Sequence, residues 1–305
     1  MKNLVRVISF ILVFVLLLLL IVVAVPDSFS TAYQRAIVRQ YDYYKNIKGN
    51  KVVFLGCSTL AFGFDLDYME DLSGKQCAML GNHLSHSLPF LIEMSKSNLQ
   101  SGDVVVAEFI DSSLETIGAE YLLTGIGKRY DMYKFIIPET RKTVASFYPL
   151  VMKKNIMYSF QGGYQPIGYY ALSSFDDRGN FVYYREGTRN TESDPEPSEV
   201  LSADVDFDPD YIAYLNSFNT WCNDHGVTFL ITVVPFRAKM VKSDDASADA
   251  YDAALQSVLD AKLVSHSKDY FFADEYSFES NHLNTAGARL RTEKLFNDIK
   301  PYLES

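Results

Sequence analysis

The chain is poor in cysteine. Its 305 residues include three cysteines, Cys57, Cys77 and Cys222, and no two of them have the Cys-x-x-Cys spacing of a metal-binding or redox motif. An odd number of cysteines without that spacing argues against a disulfide framework and against a zinc site. The sequence therefore predicts three buried free thiols, no metal site and no cofactor.

Positive charge is also scarce. Lys and Arg number 28 against 38 Asp and Glu, and no basic run offsets this excess. A net negative surface is poorly suited to nucleic acid or to anionic lipid, because both are themselves negatively charged. The composition therefore predicts no nucleic-acid partner.

Charge is absent from one long segment near the N-terminus. Val7 to Val25 is a run of 19 uncharged residues, made almost wholly of Leu, Val, Ile and Phe. A helix of this length spans a bilayer core, and the lack of a polar face argues against a buried core helix. Lys2 and Arg6 precede the run, so we expect a single-pass membrane protein with a cytoplasmic N-terminus and the rest outside. A cleaved signal peptide is the alternative, although Val22-Val23-Ala24 fits its cleavage site only loosely.

The remaining sequence, with 26 basic and 38 acidic residues and a net charge of −12, alternates between strand and helix patterns. Short continuous apolar runs predict five strands buried on both faces. They are Lys51–Leu55, Gln76–Leu80, Val104–Glu108, Val227–Val234 and Tyr270–Ala273. Amphipathic patterns predict helices over Ser87–Leu99, Pro209–His225, Ser247–Ser265 and Thr285–Leu303. Such alternation favours an α/β fold with a doubly wound, flavodoxin-like parallel sheet of five strands.

These patterns divide the chain into three parts. Residues 1–26 form the anchor, a Tyr-rich stretch over 27–49 predicts a helical stalk, and residues 50–305 form the α/β domain. An insertion at about 112–207 is rich in Tyr and Phe and contains a hairpin-like pattern over 175–184. Its aromatic residues are expected either to cover a site and stack on sugar rings, or to form a small core of their own.

Two segments at opposite ends of the domain carry chemically informative residues. The first, Phe54-Leu-Gly-Cys-Ser-Thr-Leu-Ala-Phe-Gly63, places Ser58 just after the first strand. The second, Glu279-Ser-Asn-His-Leu-Asn-Thr-Ala-Gly287, places an acid three residues before His282 and just ahead of the last helix. A serine, a histidine and a carboxylate are the nucleophile, base and orienting group of acyl-transfer enzymes. The simpler alternative is a structural turn with a capping serine.

The two segments resemble the SGNH/GDSL family of esterases and acyltransferases, over about residues 50–111 and 210–303. The resemblance implies that Ser58 is the catalytic nucleophile and His282 its base. Glu279 would orient His282, with Asp274 at the end of the last predicted strand as a substitute acid. Cys57 stands where the family has the Asp of Gly-Asp-Ser, which is a mild departure.

The resemblance also implies an oxyanion hole after the second strand. Its donors would be the backbone N–H of Gly81, together with that of Ser58, and the side chain of Asn82. The family's third block, Gly-x-Asn-Asp, is missing, because the chain reads Glu108-Phe-Ile-Asp111 after the third strand. His83 and Arg237 are further candidates for residues that line the cleft.

An N-terminal anchor followed by such a domain is similar to the anchored acyl-transfer proteins of teichoic acid and alginate. The resemblance implies an extracytoplasmic serine acyltransferase, transferring an O-acetyl group, or an esterase, acting on a cell-envelope polysaccharide. A membrane-bound O-acyltransferase would be its partner. The alternative is a non-catalytic scaffold with the same fold that binds the polysaccharide or that partner.

Overall fold

The computed structural model describes residues 2–187, 198–279 and 281–303, without the side chains of residues 2 and 18–23. The strands are β1 (Lys51–Leu55), β2 (Gln76–Leu80), β3 (Val104–Glu108), β4 (Thr228–Thr232), β5 (Phe236–Arg237), β6 (Lys262–Leu263), β7 (Phe271–Phe272), β8 (Ser277–Glu279) and β9 (His282–Leu283). The α-helices are α1 (Lys2–Ala24), α2 (Ala36–Tyr44), α3 (Ser58–Gly63), α4 (Leu66–Ser73), α5 (Leu88–Ser95), α6 (Ala119–Ile126), α7 (Pro138–Phe160), α8 (Pro209–Asp224), α9 (Asp245–Val258) and α10 (Thr285–Ile299).

The fold is α/β, built around a parallel five-stranded sheet in the order β2-β1-β3-β4-β6. Alternate residues of the strands face two separate hydrophobic cores: Val53 and Leu55 belong to one, and Val52 and Phe54 to the other. Helices α2, α5, α6, α8 and α9 contribute to the first core, and α3, α4 and α10 to the second. The sheet is therefore covered on both faces, as the strand and helix patterns predict.

The last strand of the sheet differs from the prediction. Tyr270–Ala273 does not join the sheet; Phe271–Phe272 pairs with Phe236–Arg237 in a separate two-stranded sheet. The fifth position belongs to Lys262–Leu263, within the stretch predicted as a helix over 247–265. The observed helix, α9, ends at Val258, and the chain turns after it and forms the short edge strand β6.

Residues 27–49 do not form a stalk. Ala36, Ile37, Tyr41 and Tyr44 of α2 are buried, and α2 packs beside β2. The apolar side chains of this segment are buried within the α/β domain, so the prediction of a separate stalk is wrong. The packing has a consequence for the site, because it brings Gln40 of α2 against the residues that follow β2.

The insertion is divided between the two cores. Leu122 and Ile126 of α6 pack in the first core, while Tyr169, Phe175 and Phe181 pack in the second. A bridge between Phe175 and Phe181 forms at the hairpin-like pattern. Residues 188–197 of the insertion lie outside the described residues.

Helix α1 covers most of the predicted anchor. The predicted span Val7–Val25 falls in part on side chains outside the described residues. Among the helices that the structure describes, none meets the length and apolarity needed to cross a membrane.

Candidate active site

Ser58 lies at the carboxyl end of β1, a central strand with β2 and β3 on either side. Gly56 and Cys57 lead from the strand into α3, which begins at Ser58. The first backbone N–H groups of a helix have no intrahelical acceptor, so those at Ser58 and Thr59 point away from the helix. The sequence predicts that Ser58 directly follows the first strand, and the structure shows it there.

His282 reaches Ser58 from the other end of the chain. It opens β9 of the β8–β9 hairpin, and its Nε2 lies 3.0 Å from Ser58 Oγ. This is hydrogen-bond distance for a base that removes the serine proton. The ring of Phe62 from α3 packs over the imidazole, with 4.6 Å between ring centroids. The predicted nucleophile and base are thus in contact.

The surroundings of His282 favour the neutral imidazole. Burial lowers its pKa to about 4; the carboxylate of Glu279 acts in the opposite direction, and the Arg185 cation adds to the lowering. A neutral imidazole is the form that accepts the proton of Ser58. Arg185 belongs to the insertion, and its guanidinium donates to the Phe62 carbonyl.

This pKa predicts the pH dependence of Ser58 reactivity. The rate at which a fluorophosphonate, a reagent that reacts with activated serines, labels Ser58 should stay constant as the pH falls through ~6.5. An ordinary imidazole protonates there, but His282 stays neutral. The rate should fall about tenfold per pH unit only below about 4. The measurement is a pH profile of labelling, with Trp221 fluorescence reporting that the protein is still folded. A midpoint near ~6.5 would contradict the buried environment of His282.

Cys57 is not a competing nucleophile. Its thiol is buried, and burial followed by the nearby Glu108 carboxylate raises its pKa to about 11. The thiol is therefore protonated at neutral pH and unreactive. Cys77 and Cys222 are also buried and free, as the sequence predicts.

Glu279 lies beside His282 without orienting it as a triad acid would. The two residues pair across the β8–β9 hairpin, and the Tyr170 hydroxyl from the insertion donates to Glu279 Oε1. Among the described residues, His282 Nδ1 is buried and has no hydrogen-bond partner. Asp274, the substitute acid, forms ion pairs with Arg237 at 2.7 Å and Lys239 at 3.1 Å. Glu279 is therefore the acid that acts on His282, through charge rather than through a hydrogen bond.

Replacing Glu279 tests this assignment of the acid. Glu279→Gln should slow the labelling of Ser58 about tenfold, because a carboxylate within a few ångströms stabilises the imidazolium by about one pKa unit or more. Asp274→Asn is the matched control and should leave the rate unchanged. A large loss in Asp274→Asn with none in Glu279→Gln would reverse the assignment.

Two of the donors predicted for the oxyanion hole are bound to other groups of the protein. The Gly81 N–H donates to Gln40 Oε1 at 2.9 Å, and the Asn82 amide donates to the Tyr33 carbonyl at 2.8 Å. Two of the three predicted donors are therefore used by segment 27–49, whose packing into the domain the sequence did not reveal. Gly81 still has a structural role: its φ is +111°, and a Cβ there would lie 1.9 Å from the Gly56 carbonyl oxygen.

A buried ion pair holds the turn that carries Ser58. Glu108, at the end of β3, pairs with Arg291 of α10, and both side chains are fully buried. Glu108 Oε2 accepts from the Cys57 N–H at 3.1 Å and from the Thr59 hydroxyl at 2.9 Å. Arg291 donates to the Thr59 carbonyl at 2.8 Å. The residues on both sides of Ser58 are thus fixed by one pair of charges.

Sequence reasoning missed this pair, although a signal for it exists. Glu108 is an acid at the end of an otherwise apolar strand. Arg291 lies on the side of α10 that is buried against the core. A charge in such a position must be paired when buried. The two facts together predict an ion pair, but not its location beside Ser58.

A cleft of about 230 Å³ lies at the carboxyl ends of β1, β2 and β3, and is lined in part by Gly56 and Cys57, which directly precede Ser58. Parallel α/β sheets bind ligands at this edge, where the strand order reverses between β1 and β3. The predicted residue His83 lines the cleft; Arg237 is buried and held by Asp274. The lining residues are Gly56, Cys57, His83, Leu84, Ser87, Leu88, Leu91, Ile110, Asp111, Ser112, Thr116 and Tyr211. Apolar walls with a few hydroxyls and one carboxyl suit a small, mainly apolar group.

A second group of polar residues lies on another part of the domain. Asp249, Asp252 and His266 place potential metal-ligand atoms within 4.8 Å of one another. Asp252 already accepts from the backbone N–H and hydroxyl of Ser267, and Asp249 binds Lys268 at 2.8 Å. These contacts give both carboxylates a structural role.

The arrangement at the end of β1 is thus a serine and a neutral histidine in contact, a nearby acid, and an adjoining cleft. These are the parts required for nucleophilic attack on an ester or acyl group. Comparisons with known proteins give no further identification: no protein-family model matches the chain, and no curated protein matches its sequence significantly.

Proposed function

We propose that the protein is a serine acyltransferase or esterase of the SGNH type, with a flavodoxin-like arrangement of its sheet. The observation that supports this most is the 3.0 Å contact between His282 Nε2 and Ser58 Oγ at the carboxyl end of β1. The fully buried Glu108–Arg291 pair beside it fixes the turn, which is the rigidity that a reacting serine needs.

The reaction follows from these positions. His282 Nε2 takes the proton of Ser58 while Oγ forms a bond to the carbonyl carbon of the acyl donor. The tetrahedral intermediate collapses as His282 returns the proton to the leaving oxygen, so that an acyl–Ser58 ester and an alcohol result. A hydroxyl of the acceptor, or water, then loses its proton to His282 and attacks the ester; the bond to Ser58 Oγ breaks as His282 returns that proton to Oγ, and the acyl group leaves on the acceptor or as the acid. The cleft lined by Leu84, Leu88 and Leu91 would receive the acyl group.

The location and partners are part of the same proposal. The run Val7–Val25 would anchor the protein in the cell membrane with a cytoplasmic N-terminus and an extracytoplasmic domain. The acceptor would be a cell-envelope polysaccharide, the acyl group an acetyl, and a membrane-bound O-acyltransferase the donor. The acidic domain supports the absence of a nucleic-acid partner.

A non-catalytic scaffold is the second candidate, and two observations favour it. The Gly81 N–H is bound to Gln40, and His282 Nδ1 has no acceptor among the described residues. A site in this state lacks one oxyanion donor, which typically costs about 10²–10³ in rate. Binding of the membrane partner would have to move Gln40 for catalysis to become efficient.

Labelling with a fluorophosphonate separates the two candidates. The full chain in detergent is treated with the probe, and the modified peptide is identified by mass spectrometry. We expect the label on Ser58, and its loss in Ser58→Ala. Ser257→Ala, which removes an exposed hydroxyl of α9 that does not line the cleft, is the control and should label normally. A folded protein that takes up no label would support the scaffold.

A further inference from the structure

Helix α7 presents apolar side chains to solvent along one face. Phe147, Leu150, Met157 and Phe160 are 37%, 40%, 45% and 89% exposed. Their spacings of three and seven residues place them on one side of the helix. The opposite side, with Val144 and Asn155, is buried against the domain. An exposed apolar stripe of this kind marks a surface that binds a partner or a lipid phase.

The same helix is basic in an acidic protein. Helix α7 contains one acid, Glu139, and four basic residues: Arg141, Lys142, Lys153 and Lys154. Lys142 and Lys153 are exposed and lie on the outward side with the apolar stripe. Cations interleaved with large apolar side chains are typical of helices that lie in the headgroup region of a bilayer.

Hydrogen bonds place α7 at the point where the N-terminal segment enters the domain. The Ser28 N–H donates to Asn155 Oδ1 at 2.7 Å, and the Asn155 amide donates to the Pro26 carbonyl at 2.9 Å. The Ser28 hydroxyl donates to the Asn155 carbonyl at 2.9 Å. Helix α1 ends at Ala24, so Pro26 follows its last residue by two positions and Ser28 by four. The end of the apolar run and helix α7 therefore lie close together.

We propose that the outward side of α7 lies on an anionic lipid surface and holds the domain against the membrane. This inference rests on the membrane location in the proposed function. The overall acidity, from which the sequence predicts poor binding to anionic lipid, does not prevent it, because charges beyond about 10 Å are screened at ordinary salt. Lys142 and Lys153 on the outward side of α7 would contact the headgroups directly. The site at Ser58 would then be kept at a fixed distance from acyl donors delivered through the membrane.

Site-specific quenching tests the proposal on the full chain. The native thiols are buried, so a single cysteine introduced by Met157→Cys can be labelled with a fluorophore in the folded protein. Val258→Cys at the end of α9, where the side chain is 38% exposed, is the matched control. Both proteins are reconstituted into vesicles of phosphatidylcholine with phosphatidylglycerol. We expect a water-soluble quencher to act about tenfold more weakly on the label at 157 than on the label at 258. Lys142→Glu with Lys153→Glu should remove most of this protection.

Other outcomes overturn the proposal in distinguishable ways. Equal quenching at 157 and 258 in vesicle-bound protein excludes lipid contact while leaving the anchor intact. Protection at 157 in native membranes but not in vesicles assigns the surface to a membrane protein instead. Failure of the full chain to associate with vesicles overturns both this inference and the proposed location. None of these results depends on labelling of Ser58, which tests the active site separately.

Discussion

Replacement of His282 by alanine is expected to slow fluorophosphonate labelling of Ser58 by up to about 10⁴-fold at neutral pH. The reason is that the 3.0 Å contact of His282 Nε2 with Ser58 Oγ is the route by which the serine loses its proton. Without it, Oγ must attack as a neutral hydroxyl, since a serine does not ionise on its own at this pH. The measurement is the second-order rate of labelling, read from intact mass against time.

His266→Ala is the matched control for this experiment. His266 is exposed and does not line the cleft, so removing its imidazole should leave the rate of Ser58 labelling unchanged. Circular dichroism of both variants would show that the fold is kept, because removal of a side chain at a hairpin end leaves the sheet untouched. A His282→Ala protein that labels at the normal rate would mean that Ser58 is activated by another group, and the Ser58–His282 pair would lose its assigned role.

The sequence predicted the fold and the Ser58–His282 pair for related reasons. Strands β1, β2 and β3 have the predicted bounds, because a strand buried on both faces is apolar along its length, here with a polar residue only at one end. Ser58 follows such a strand, and His282 precedes a helix whose N-cap, Asn284, accepts from the Gly287 N–H. Strand ends and helix caps are local features, so they are readable from short segments.

The residues that the sequence did not reveal act through contacts between distant segments. Gln40 reaches Gly81 from α2, and Tyr170 reaches Glu279 from the insertion. Each contact depends on how a whole element packs, and periodicity alone does not say against which neighbour a helix lies. The edge strand β6 shows the same limit. It has two residues, too few to show a strand pattern in the sequence, whereas the longer apolar run at 270–273 was predicted as the fifth strand of the sheet and lies outside it.

The other large effect is expected from Arg291→Met, which should destabilise the protein by about 3–5 kcal/mol. Arg291 and Glu108 are both fully buried, so removal of the cation leaves the Glu108 carboxylate in the core, where its remaining partners among the described residues are the Cys57 N–H and the Thr59 hydroxyl. The quantity to measure is the free energy of unfolding from urea denaturation. Lys294→Met, three residues along the same helix and outside the buried pair, is the control and should change it little.

The double variant Glu108→Gln with Arg291→Met separates the cost of an unpaired charge from the value of the pair itself. Both charges are then gone, and glutamine keeps an oxygen that can accept from the Cys57 N–H, so most of the lost stability should return. Labelling of Ser58 by the fluorophosphonate should be slower in this variant than in the unmodified protein, because the Thr59 carbonyl loses the Arg291 donor that holds the turn. Recovery of stability without recovery of reactivity would mark the pair as a positioning device for Ser58. Recovery of both would reduce it to a structural ion pair, since a turn that reacts normally without the two charges does not need them to place the serine.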